Sequence, residues 1–393
     1  MTLDILTIIT LCLALSFFLS QLCRKFKLPE ILGQISAGAL LTLPFFAGLI
    51  TPKARTDIGF LSEIGIIFLL LLAGLEINIH KLKKLSKDSM LISIFGAVIP
   101  FVFGFFAITL LGYDTSTALI TAICLAITAE GITLKVLIDK NMLDTKVGTI
   151  ILSAGILDDL YGVVFLGAFL TLLRDNSAGL LAYPFMILGF IGVVLILFYV
   201  LPKFIKTVEK EHSRVANLSM TIIIGLAIAS ISSKFGLGQV LGAFIAGVII
   251  HFVNKEKKEE HDIVTELKIL TFAFIIPFFF IDIGLKMDFA TILQPSNLWM
   301  IIVISAVAIA GKLLGSMVVS YFSDITFRQS ILIGWGMNSR GAIELVIASV
   351  ALNAGLLPLN IYTAIVIMTL LTTLFFPFIL DKTVKKYPKI MNE

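Results

Sequence analysis

Residues 153–173 read SAGILDDLYGVVFLGAFLTLL, an apolar stretch that carries two adjacent carboxylates, Asp158 and Asp159. It is long enough to cross a bilayer as a helix, which takes about 20 residues. A charge near the centre of such a helix costs about 2.5–3.5 kcal/mol or more, so an ionisable residue there marks a working site. Consecutive side chains on a helix point about 100° apart. Asp158 and Asp159 therefore meet different neighbours and take different tasks.

The rest of the chain repeats this pattern. Its 393 residues are 58% hydrophobic and only 14% charged, against about 25% charged in soluble proteins. Apolar stretches alternate with short polar connections, which predicts an all-α polytopic membrane protein. Thirteen spans are expected, near 4–22, 28–46, 58–78, 90–111, 116–137, 147–173, 181–202, 216–233, 238–254, 265–285, 297–321, 329–355 and 359–381. The short alternating strands of a membrane β-barrel are not seen. Segment 4–22 has no basic start and no small-residue cleavage site, so it reads as a first span and not as a signal peptide. Cys12, Cys23 and Cys124 lack metal-ligand spacing and are expected to serve packing.

Lysine and arginine set the orientation. One set of alternate connections is rich in them: Arg24, Lys25 and Lys27; Lys81, Lys83, Lys84 and Lys87; Lys203, Lys206, Lys210 and Arg214; Lys382, Lys385, Lys386 and Lys389. The other set carries only Lys53, Arg55, Arg174, Lys234 and Lys286. This puts the N-terminus outside and the C-terminus in the cytoplasm. The short tail, 382–393, leads to the expectation of no soluble regulatory or nucleotide-binding domain.

Two parts of the chain match at an offset of 209–210 positions. AGALL at 37–41 matches AGVII at 246–250, GLEIN at 74–78 matches GLKMD at 284–288, and EGIT at 130–133 matches RGAI at 340–343. The copies are shifted by seven expected spans, an odd number, so they have opposite orientations in the bilayer. Inverted repeats with interrupted mid-membrane helices characterise secondary transporters. The stretches ITAEGIT (127–133) and GMNSRGAIE (336–344) put polar residues and glycine in mid-span, where unpaired backbone is tolerated only if it is buried in protein or lines a cavity.

The deep charges can then be balanced. Lys312 and Arg340 are the cations; Asp158, Asp159, Glu130 and Glu344 are the carboxylates. Arg340 and Glu344 stand at i and i+4 and can pair locally. Arg340 and Glu130 are repeat mates of opposite sign, suited to neutralising helix ends. Lys312 is left as counter-ion to one of the two aspartates. A buried carboxylate without a partner takes a proton, or trades that proton for a hard cation that prefers oxygen ligands. Glu63 and Asp282 read as structural.

These residues resemble the ion-binding motif of bacterial sodium/proton antiporters of the NapA and NhaA type, in the monovalent cation:proton antiporter-2 family. KLPEILGQISAGALL, TAEGITLKVL, AGKLLG and MNSRGAIELVIA extend the similarity over about residues 1–381. The resemblance implies an NhaA-like fold whose two broken helices cross at mid-membrane, and a homodimer. It implies a dimerisation part, about 1–85 and 204–295, and a core ion-transport part, about 86–203 and 296–381, that moves like an elevator. Asp159 would be the main cation and proton ligand, Asp158 the partner of Lys312, and Thr128 with nearby backbone would complete the site. An Asp-Asp pair goes with electrogenic exchange. The expected substrates are Na⁺, with Li⁺ as a further cation, and H⁺; no cofactor is implied.

Glu130 departs from the family pattern, as does Ala129 in place of a common hydroxyl. That leaves K⁺/H⁺ or broad cation exchange open. An anion symporter of the same fold fits the paired acids poorly. An intramembrane aspartyl protease requires facing aspartates and a GxGD motif, which are missing. No zinc or nucleic-acid site is indicated: the four histidines lie near span ends, and the cytoplasmic lysines follow from topology.

Overall fold

The computed structural model describes residues 4–26, 28–43, 50–76, 86–128, 145–172, 214–235, 238–254, 258–287, 294–386 and 388–391, with single positions among 46, 133, 137, 138, 142, 143, 192, 196, 199 and 292. The expected span at 181–202, apart from 192, 196 and 199, and the Glu130 position fall outside them, as does the Asp159 side chain, although the Asp159 backbone is helical.

All regular structure among the described residues is helical: α1 Ile5–Lys25, α2 Glu30–Leu41, α3 Pro52–Glu76, α4 Lys87–Leu110, α5 Thr115–Ala126, α6 Lys146–Leu172, α7 Arg214–Lys234, α8 Gln239–Asn254, α9 Lys258–Leu270, α10 Ile276–Lys286, α11 Pro295–Val319, α12 Phe327–Gly336, α13 Ala342–Asn353 and α14 Leu359–Lys386. Seven stretches among the described residues are long and apolar enough to cross a membrane: α1, α3, α4, α7, Ile263–Lys286 across α9 and α10, α11 and α14. Helices α2, α5, α8 and α13 are shorter and also apolar.

Several boundaries have local causes. Asp114 caps α5, its carboxylate accepting from the amides of Ser116 and Thr117 at 3.0 and 3.1 Å. Thr326 and Gln329 form a capping box at the start of α12. Between α9 and α10 the backbone widens into a π turn, Thr271–Ile275. Pro277 follows and has no N–H for the carbonyl four residues back, so the helix adjusts its pitch just before it. The sequence placed one span at 265–285; the helix in fact starts earlier, at Lys258, on the polar residues KEEH.

The chain divides into two compact units: Met1–Ser16, Leu41–Ile77 and Val163–Asp282 form the first, and Phe17–Leu40, Asn78–Gly162 and Ile283–Glu393 the second. In the first unit α3 and α8 cross at glycine, where a Cβ placed on Gly74 would lie 3.0 Å from the Gly247 Cα and would strike the Phe244 carbonyl. In the second unit α10 crosses α2, and a Cβ on Gly284 would lie 2.9 Å from the Gly38 carbonyl carbon. Gly38 and Gly247 are mates in the sequence repeat, as are Gly74 and Gly284. Each crossing therefore joins one copy to the other.

The core of the second unit gathers Ile92 of α4, Ile150 and Ile151 of α6, Val319 of α11, Leu332 and Ile333 of α12 and Leu380 of α14. Helices α4 and α11 approach closely there. A Cβ on Gly311 would meet the Pro100 Cα at 2.6 Å, and one on Gly315 the Phe95 carbonyl oxygen at 2.6 Å. Small residues that let backbones touch are how helices associate without a hydrophobic drive in lipid. This contact fixes the height of Lys312, which lies between the two glycines.

Candidate functional site

Lys312 and Asp158 meet in the second unit, the ammonium donating to Asp158 Oδ2 at 2.7 Å with both side chains fully buried. Lys312 comes from the middle of α11 and Asp158 from α6. The Thr128 hydroxyl donates to the same oxygen at 2.5 Å. Thr128 stands two residues past the end of α5, where extended backbone at Ile127 stops the helix inside the protein. Ser93 of α4 donates to the other oxygen, Oδ1, at 2.6 Å. One carboxylate thus gathers three donors from α4, α11 and the end of α5. Charge-assisted bonds of this kind are about twice as strong as neutral ones.

A second buried cluster surrounds Arg340. Helix α12 ends at Gly336 and α13 begins at Ala342, and the residues between them, Met337–Gly341, are buried. The Arg340 guanidinium reaches to α5 and donates to the carbonyls of Cys124, at 3.2 Å, and of Ile127. These are among the carbonyls that a helix C-terminus leaves without intrahelical partners, and a cation there complements the helix dipole. Glu344 does the converse job, its carboxylate accepting from the Gly341 amide at the start of α13. The Thr373 hydroxyl of α14 holds the Arg340 carbonyl at 2.9 Å. Thr133 donates to the Gly336 carbonyl at 2.9 Å, tying the chain beyond Thr128 to the end of α12. Asn338 donates through its side-chain nitrogen to the carbonyls of Gly334 and Ile309, which locks the interruption against α11.

The structure therefore brings Asp158, Lys312 and Thr128 into one cluster, and puts Arg340 at the end of α5 and Glu344 at the start of α13. Glu63 is exposed and Asp282 is buried. Ser93 was not singled out from sequence, although a signal existed. Ser89, Ser93, Gly96 and Pro100 recur at helical spacing along one face of α4, and all are buried. The Cys124 and Ile127 carbonyls as partners of Arg340 left no mark in side-chain chemistry.

A multi-pass helical membrane protein with a buried aspartate–lysine pair belongs to the class of ion-coupled transporters. More particularly, the chain belongs to the transmembrane sodium/hydrogen exchanger family, whose pattern it matches over residues 9–386. It is 31% identical to a Na⁺/H⁺ antiporter of Enterococcus hirae, over 98% of this chain and 99% of that one. It is 27% identical to the Na⁺/H⁺-K⁺ antiporter GerN of Bacillus cereus, over 93% of this chain and 92% of that one. Its fold resembles the sodium proton antiporter MjNhaP1 of Methanocaldococcus jannaschii, with a TM-score of 0.72, 17% identity and 99% of both chains covered.

Proposed function

We propose that this protein is a secondary antiporter that exchanges a monovalent cation, Na⁺ first among them, for protons across the cell membrane. The observation that carries this reading is the buried Asp158–Lys312 pair beside Thr128 at the end of α5. An ion pair in a dry interior recovers its desolvation cost only with good geometry and further hydrogen bonds. A site of this kind responds strongly when another charge enters.

In the proposed cycle Asp159, the next residue on α6, is the principal ligand and holds either a proton or the cation. Entry of the cation draws Asp158 away from Lys312, and Thr128 with adjacent backbone supplies oxygen ligands. Competition between proton and cation for the same carboxylates is sufficient for coupled exchange. Two aspartates set against one lysine favour more than one proton per cation, hence electrogenic exchange.

The proposed architecture has thirteen spans of the NapA and NhaA type, with the N-terminus outside and the C-terminus in the cytoplasm. Its two interrupted helices cross at mid-membrane. The mixed glycine crossings support inverted repeats. Transport proceeds in a homodimer by elevator motion of the core part, 86–203 and 296–381, against the dimerisation part, 1–85 and 204–295. The name of the Bacillus cereus relative supports a second reading, in which K⁺ is also carried and Glu130 tunes the choice.

Proteoliposomes with an acidic lumen test this directly. Addition of Na⁺ or Li⁺ is expected to dissipate the gradient, and Asp159→Ala to abolish the response. An equal response to K⁺ selects the second reading. Silence toward all three ions across the pH range rejects exchange altogether.

A further inference from the structure

We propose that Ser93 is a further ligand for the transported cation, one that sets its affinity; this rests on the reading of the Asp158 cluster as the transport site. The two oxygens of Asp158 are not equivalent. Oδ2 already accepts from both Lys312 and Thr128. Among the described residues, only Ser93 donates to Oδ1, at 2.6 Å. Oδ1 is therefore the less encumbered oxygen, and the one an incoming cation meets with Lys312 still in place.

A serine hydroxyl carries one hydrogen and two acceptor lone pairs on a rotor. With the site empty, its hydrogen points to Oδ1. With a cation at Oδ1, the same hydroxyl turns a lone pair to the metal while its oxygen stays in place. Neither Lys312, which only donates, nor an alanine at position 93 has this ability.

The surroundings fit this use. Ser93 is fully buried, and a hydroxyl kept from water needs a polar partner. One turn further along α4, Gly96 borders the other member of the pair: a Cβ there would lie 3.9 Å from the Lys312 Nζ. The same face of α4 thus touches the carboxylate with an oxygen and leaves room beside the ammonium.

The test is exchange in proteoliposomes over a concentration series of Na⁺, Li⁺ and K⁺, for wild type, Ser93→Ala, Ser93→Thr and Asp159→Ala. Ser93→Ala is expected to raise the KM for Na⁺ about tenfold, the scale of one lost charge-assisted contact, at a near-normal maximal rate. Ser93→Thr keeps the hydroxyl and is expected to restore the KM. An unchanged KM in Ser93→Ala overturns the assignment, as does a reduced rate at constant KM, the mark of a purely structural role. If Asp159→Ala abolishes exchange while Ser93→Ala behaves as wild type, only the Ser93 assignment falls. Exchange that survives Asp159→Ala removes the transport-site reading and this inference with it.

Discussion

Lys312 and Arg340 are cations of the second unit, both fully buried, and they donate to different kinds of acceptor. Lys312 faces a carboxylate, which can lose its charge by taking a proton. Arg340 donates to the carbonyls of Cys124 and Ile127, whose partial charges are fixed, and the charge of Glu344 acts on it as well. The chemistry of the two side chains follows the same division. An ammonium is a compact point charge that can be parted from its partner, whereas a guanidinium stays charged and presents a rigid fork. The comparison teaches that one buried cation is held by a partner that can be neutralised, as the proposed cycle requires, and the other by backbone that cannot.

The largest effect is expected at the lysine. Lys312→Met leaves Asp158 buried without its counter-ion and should cost about 3–5 kcal/mol, read as a lowered thermal midpoint in detergent. Adding Asp158→Asn should return most of that loss, because replacing both partners of a buried pair is often close to neutral. A double variant no more stable than the single one would mean that the pair does not act as a unit.

Arg340→Met comes next, at about 2–3 kcal/mol for the lost bonds between a charged group and the α5 carbonyls. No carboxylate substitution at Asp158 should rescue it. Arg340→Lys should recover only part, since one nitrogen, Nη1, serves both carbonyls and the lysine ammonium stands about one bond short of it. Full recovery with lysine would erase the distinction drawn between the two cations.

The frame around the pair should be less sensitive. Gly311→Ala pushes α11 away from Pro100 and is expected to cost about 1–3 kcal/mol. Because it displaces Lys312, it should also slow exchange. Lost stability with unaltered transport would show that the height of Lys312 is not set by this contact.

The smallest effect lies at the outer end of α5, the helix whose buried end Arg340 caps. Asp114→Ala should cost about 1 kcal/mol. The Thr117 hydroxyl, 2.6 Å away, and then the Thr117 amide hold the Asp114 carboxyl below the ordinary carboxylate range. The folded form thus binds the proton less tightly than the unfolded form. Its contribution is fully present above the unfolded carboxylate pKa and is lost as pH falls through the lowered folded value. Melting in acid should show wild type and Asp114→Ala converging, with no such convergence for the Arg340 variants.

Much of this was open to reading in the chain itself. The bilayer sets a length for apolar helices and penalises charge within it, so the spans, the orientation signal and the short list of deep charges follow from local composition. Counting charges gave Lys312 one of the two aspartates as its partner; that this is Asp158, and that Thr128 joins it, followed from the resemblance of the motif. Ser93 did not emerge, because a serine in an apolar helix has many uses and only the approach of α4 to α6 brings its hydroxyl to Asp158. The backbone partners of Arg340 did not emerge either. The sequence offered Glu344 as a neighbour at i+4, and its charge does act on Arg340; what the sequence did not show is that Glu344 also caps Gly341 and that Arg340 also crosses to the end of α5. Backbone carbonyls are alike at every position, so which of them lack a helical partner is known only once the helix ends. Sequence determined what had to be neutralised; the tertiary structure decided by which group, because that depends on distances between helices far apart in the chain.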